Sequence, residues 1–118
     1  AYRKALTLDE GYILSWYNLG SVYFAIGDLP EAQKAFERTL EVDPGHADAY
    51  QGLGGVKLRQ GAYDEAVADF QAALHADSSY AMAHYGLAMA YWALKDSARA
   101  EVERNLFKNM QAQHRKGH

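Results

Sequence analysis

The chain has no cysteine. That removes disulfide frameworks, thiolate metal sites and cysteine nucleophiles together, and it leaves the redox compartment open. It has no excess of positive charge either. The formal net charge is −3, so no basic field draws in nucleic acid or acidic lipid. No apolar run approaches the ~18 residues of a membrane span, which argues against membrane insertion. The first residues, AYRKALTLDEGY, lack the continuous apolar stretch of a secretory signal. With no initiator Met, they read as a cut from a longer chain or the start of a mature product. Proline occurs twice only, and no alternating β pattern is present, so an all-α fold is expected.

What is present is repetition. Residues 13–46 lie over 47–80 without a gap. Leu19 meets Leu53, Gly20 meets Gly54, Val22 meets Val56, Gly27 meets Gly61, Ala32 meets Ala66, Phe36 meets Phe70 and Leu40 meets Leu74. The period is 34 residues. A third copy begins at Ala81, where Tyr85, Leu87, Tyr91, Asp96 and Ala100 repeat Tyr17, Leu19, Tyr23, Asp28 and Ala32. A fixed period in this range marks a solenoid of small supersecondary units.

Each unit reads as two helices. Trp16, Leu19, Tyr23 and Ile26 recur at helical steps, and Gly27-Asp28 breaks the pattern. Asp28 is placed to cap the next helix, with Pro30 in its first turn and Glu31 at capping-box spacing. Ala32, Phe36, Thr39 and Leu40 form the apolar face of the second helix, which Asp43-Pro44-Gly45 ends. Gly20 and Ala32 are small where the helices cross, and Trp16 and Phe36 supply bulk around them.

These residues resemble the tetratricopeptide repeat family. Its signature appears as Trp16, Leu19-Gly20, Tyr23, Ala32, Phe36 and Pro44, with Thr39 where Ala is usual. The second copy carries Tyr50, Leu53-Gly54, Ala66, Phe70 and Ala73, and departs at Lys57 and Ser78. The third carries Leu87, Ala88, Tyr91 and Ala100, and departs at His84 and at Arg104, which takes the place of a core aromatic. Residues 2–9 read as the second helix of a preceding repeat. The expected organisation of the single domain 1–118 is therefore a half-repeat at 2–9, full repeats at 13–46, 47–80 and 81–113, and a polar, disordered tail at 114–118. That makes a right-handed α-α superhelix of antiparallel helix pairs, about seven helices in all. The last helix has two possible inward faces. The repeat register turns Ala100, Arg104 and Phe107 inward and is favoured; an independent apolar stripe runs through Ala98, Val102, Leu106 and Met110.

No residue pattern points to an enzyme or a cofactor. His46, His75, His84, His114 and His118 show no paired ligand spacing and read as solvated or partner-facing. Asp64, Glu65, Glu101 and Glu103 read as surface charges complementing helix dipoles. Gly52, Gly54 and Gly55 lie within a helix, each costing about 1 kcal/mol relative to Ala. Gly54 is the close-packing glycine of the repeat. Gly52, Gly55 and Gly86, at the Gly52 place one copy later, read either as drift or as a groove floor where a ligand approaches the backbone.

The resemblance implies a concave face lined by the first helix of each repeat. Its groove places hold Leu14, Tyr17, Ser21, Phe24 and Ala25, then Asp48, Gln51, Gly55, Leu58 and Arg59, then Met82, Tyr85, Met89, Trp92 and Ala93. Tyr12, His46 and Tyr80 sit at the junctions. Two specialisations of the family are not met. The places of the cationic clamp for acidic C-terminal tails hold Tyr17, Ser21, Gly52, Met82 and Gly86. The asparagine ladder for extended backbones stops after Asn18, because Gly52 and Gly86 follow. The expected role is a protein-interaction module, an adaptor or scaffold holding a peptide segment or apolar helix of another protein. The alternative is a structural spacer, or a segment that self-associates through exposed repeat ends.

Overall fold

The helical steps in the sequence become six helices. The computed structural model describes the backbone of residues 10–116 and the side chains of 16–113. In chain order these are α1 (Glu10–Ile26), α2 (Leu29–Val42), α3 (Ala47–Gln60), α4 (Tyr63–Ala76), α5 (Ala81–Ala93) and α6 (Ser97–Lys116). No strand occurs among the described residues. The expected seventh helix, at residues 2–9, lies outside them.

The boundaries follow local chemistry. Asp28 caps α2, its carboxylate accepting from the Glu31 backbone N–H at 3.4 Å, and Pro30 occupies the first turn, where no N–H is required. Asp96 makes the same cap, accepting from Arg99 N–H at 3.2 Å. Between them in the register stands Ala62, which has no side chain to offer. The turn inside each pair needs a left-handed residue. Gly27 and Gly61 provide it at φ 87° and 82°, but the third turn places Lys95 there at φ 67°. The helical backbone of α6 runs to Lys116, into the stretch expected to be a disordered tail. Gln111, Ala112 and Gln113 are good helix formers.

Helices pair as α1–α2, α3–α4 and α5–α6. Each pair packs on the next through its second helix, and the odd-numbered helices also touch one another. This gives an inner layer of α1, α3 and α5 backed by an outer layer of α2, α4 and α6.

The core lies at the junctions between pairs. One cluster joins Ala32 and Phe36 of the first repeat to Leu53 and Val56 of the second, with Tyr17, Phe24 and Leu40 packed on it. The other joins Ala66 and Phe70 to Leu87, Ala90, Tyr91 and Ala100, with Leu58 and Leu74. Each repeat is thus stabilised by its neighbour.

The glycines explain how the junctions close. Phe36 lies between Gly20 of its own repeat and Gly52 of the next. A Cβ on those residues would stand 2.7 Å and 2.5 Å from the ring. Phe70 lies likewise between Gly54 and Gly86, where a Cβ would be 2.4 Å away on either side. The groove-floor reading of Gly52 and Gly86 is therefore corrected, and drift does not describe them either. They receive the preceding repeat's phenylalanine. Thr39 is fully buried, and its hydroxyl donates to the Ala35 carbonyl at 3.0 Å, so the polar group at an alanine place is satisfied.

Candidate functional site

The inner layer gathers the groove places of α1, α3 and α5, and they divide into two kinds. In the first two repeats most are committed to neighbours. Tyr17 packs on Phe36 at 5.8 Å and on His46 at 5.2 Å between ring centroids. The Ser21 hydroxyl donates to the Tyr17 carbonyl at 3.2 Å. His46 caps α3, its Nδ1 accepting from Ala49 N–H at 3.1 Å. Phe24 is covered by Arg59, whose guanidinium carbon lies 4.0 Å from the ring centroid while Nη1 donates to the Phe24 carbonyl at 3.0 Å. Gly55 sits beside the edge of the same ring. Gln51 Nε2 donates to the Met82 carbonyl at 3.2 Å, and Gln51 Oε1 is buried without a hydrogen bond. The Tyr80 hydroxyl donates to the Asp48 carboxylate. Burial and that anion push the phenol up, so it stays a donor across the physiological range. The side chain of Tyr12 lies outside the described residues.

The third repeat differs. Met82, Tyr85, Met89 and Trp92 fall on one face of α5 at steps of three and four residues, and each remains 45–46% exposed. Tyr85 leans on Phe107 of α6 at 5.3 Å, and the Arg104 guanidinium lies 5.8 Å from the Trp92 ring. Arg104 Nη2 donates to Glu101 at 2.7 Å, while its Nε is buried and makes no hydrogen bond. The repeat register of α6 holds: Ala100 is fully buried and Arg104 and Phe107 half-buried, whereas Val102 and Leu106 of the competing stripe are exposed. The outward face of α6 is accordingly less polar than a terminal helix is expected to be.

Two pairings escape a reading by residue type. His84 stands at the place of Trp16 and Tyr50, and its Nδ1 lies 2.5 Å from Glu103 Oε1, both side chains largely covered. So His84 is not solvated and Glu103 is not a surface charge. The signal in the sequence is the spacing, because Glu103 falls where the first repeat has the small, buried Ala35. Lys57, at a tyrosine place, pairs with Glu65 at 2.8 Å, and that hydrogen bond raises the lysine's pKa. Asp69, near the same cation, is pushed up to about 6, chiefly by burial.

Comparison with known proteins agrees with this geometry. The family profile described as Tetratricopeptide repeat matches residues 17–81 and 56–104. No curated protein matches the sequence. Among solved structures, the chain is similar to the TPR2B domain of yeast Sti1, solved as a pHsp70 complex. TM-score is 0.84 at 25% identity, over 89% of this chain and 84% of that one. It is similar in fold to the Yersinia enterocolitica type III secretion translocator chaperone SycD, at TM-score 0.85 and 20% identity, over 90% and 80% of the two chains. It also overlays MamA, at TM-score 0.82 and 23% identity, over 88% of this chain but only 61% of MamA's. Three helix pairs at a 34-residue period, closed by phenylalanine against glycine and matched by the profile over most of their length, place this chain in the tetratricopeptide repeat family as a right-handed α-α solenoid.

Proposed function

We propose that the protein is an interaction module whose inner face holds a peptide segment or amphipathic helix of another protein against α5. One observation carries this reading: the continuous, half-exposed stripe of Met82, Tyr85, Met89 and Trp92. Large aromatic residues and methionine are the side chains enriched at binding hot spots, and methionine repacks around varied apolar partners. Most polar groove side chains of the first two repeats are bonded within the chain, chiefly to backbone groups, so the apolar third repeat is the part with surface to offer. The Sti1 domain it resembles was solved with a pHsp70 partner, which supports an interaction role. An acidic chain terminus is not the favoured ligand here, because Tyr17, Ser21, Gly52, Met82 and Gly86 stand where a cationic clamp needs charge.

The test is a titration of amphipathic peptides against the wild type and a Tyr85→Ala/Trp92→Ala variant, with circular dichroism to check folding. The variant should bind at least tenfold more weakly, since two hot-spot truncations cost more than 1 kcal/mol each. Equal binding by the two proteins would refute the assignment to α5.

A further inference from the structure

The middle repeat carries a cation on the inner face that the chain does not neutralise. Helix α3 lies between α1 and α5 and touches both, so what its inner face exposes is set by described neighbours on either side. Arg59 stands in its last turn and is exposed. Arg38, Arg99 and Arg104 each pair with a nearby carboxylate, Glu41, Asp96 and Glu101. Arg59 has no carboxylate partner among the described residues, and Glu65 is taken by Lys57.

The position of Arg59 is nevertheless fixed. Its guanidinium lies over the Phe24 ring, and Nη1 donates to the Phe24 carbonyl at 3.0 Å. That carbonyl also accepts from Gly27 N–H at 3.1 Å, so the turn after α1 does not depend on the arginine. The other edge of the guanidinium, formed by Nε and Nη2, makes no hydrogen bond in the chain. This is an edge that grips a carboxylate through two parallel bonds. The register leaves room around it. One period earlier and later, the place of Arg59 holds Ala25 and Ala93, and one turn back α1 and α3 carry only Ser21 and Gly55. Of the two charged groove places, Asp48 is taken by the Tyr80 hydroxyl. A ligand on the inner face therefore meets one open charge, and that charge is positive and held in advance, which lowers the ordering cost of binding.

We propose that Arg59 selects the partner by an acidic side chain: the segment held on α5 carries an internal Asp or Glu whose carboxylate takes the free edge of Arg59. This rests on the reading that α5 holds the apolar side of that segment. Packed helices lie about 8–10 Å apart and two turns of helix rise about 11 Å. In a helical partner the acidic residue thus lies about two turns from the apolar anchor. A chain terminus is not the source of the charge, because Arg59 stands alone and the clamp places that would fix a terminus are uncharged.

The test uses three amphipathic peptides, each amidated at its C-terminus and identical except for Glu, Gln or Lys two turns from a tryptophan anchor. They are titrated against the full chain by fluorescence anisotropy. The wild type should bind the Glu peptide about fivefold more tightly than the Gln peptide, the size of an exposed but bidentate ion pair, and the Lys peptide most weakly. Added salt should shrink that preference. Arg59→Gln should bind the Glu and Gln peptides alike, and Arg59→Glu should prefer the Lys peptide. Both variants should keep the wild-type circular dichroism spectrum, because the Phe24 carbonyl retains its bond from Gly27. Wild type that binds the Glu and Gln peptides equally overturns the proposal, as does a Glu preference that survives Arg59→Gln. The Tyr85→Ala/Trp92→Ala variant separates the two readings. If it weakens all three peptides while the wild type shows no Glu preference, α5 is the binding face and the Arg59 assignment fails. If it binds like the wild type and the preference still disappears with Arg59, the α5 assignment fails instead. No binding of any of the three peptides to the wild type overturns both.

Discussion

Replacing Gly86 by alanine tests whether the extra glycines are packing devices. The new Cβ would stand 2.4 Å from Phe70 Cε1, 2.5 Å from Cζ and 2.7 Å from Cδ1. The ring is buried, and a Cβ at Gly54 would stand equally close to the same ring atoms, so little room is left for it to shift. Overpacking of this kind costs about 1–3 kcal/mol, while helix propensity returns about 1 kcal/mol for Gly→Ala. The net expectation is a loss of about 1 kcal/mol. Gly55→Ala is the internal control. Its Cβ would lie 3.2 Å from the edge of Phe24, a half-buried ring with room to shift, so propensity should win and the variant should gain about 0.5 kcal/mol. Urea denaturation at constant m-value measures both. The sign difference between the two variants is the decisive quantity, since both share the same propensity gain. If Gly86→Ala proves as stable as Gly55→Ala, the phenylalanine–glycine account of the junctions is wrong.

Other consequences concern single places in the register. Lys95 holds a left-handed conformation that Gly27 and Gly61 adopt freely, so Lys95→Gly should raise the urea midpoint by the equivalent of about 1 kcal/mol. Ala62→Asp should add a similar amount by capping α4 as Asp28 and Asp96 cap α2 and α6; if neither variant is stabilised, the turns are not equivalent. Burial pushes Asp69 up to about 6 from 3.8, so its neutral form stabilises the fold fully below pH 3.8, and that contribution is lost as pH rises through 6. Asp69→Asn should therefore be more stable than the wild type by roughly 1 kcal/mol at pH 8, less than the full shift implies because Asp69 is partly exposed to solvent, and show no such gain at pH 3.5. A difference that does not vary across that range would place Asp69 in solvent.

The architecture was legible because it rests on residues that repeat. Leu19, Gly20, Ala32 and Phe36 recur with the period, and Asp28, Pro30 and Gly27 signal their own turn through local chemistry. Placement of the groove residues was legible only as register. Whether Gln51, Arg59 and Tyr80 face a partner or a neighbour depends on the distance between helices, and no spacing in the chain encodes that. Gly52 shows the difficulty most clearly. Its departure from Asn18 suggested a ligand, yet the reason for it is Phe36, sixteen residues earlier. His84 is similar, since its departure from Trp16 makes sense only with Glu103 opposite. These cases suggest a criterion for reading departures in a repeat. A departure answered by a group in contact with it, as His84 is by Glu103 and Lys57 is by Glu65, maintains the scaffold. A departure with no answer inside the chain is where a partner would supply one. Met82 and Met89 meet that condition on the inner face, where both side chains remain half-exposed.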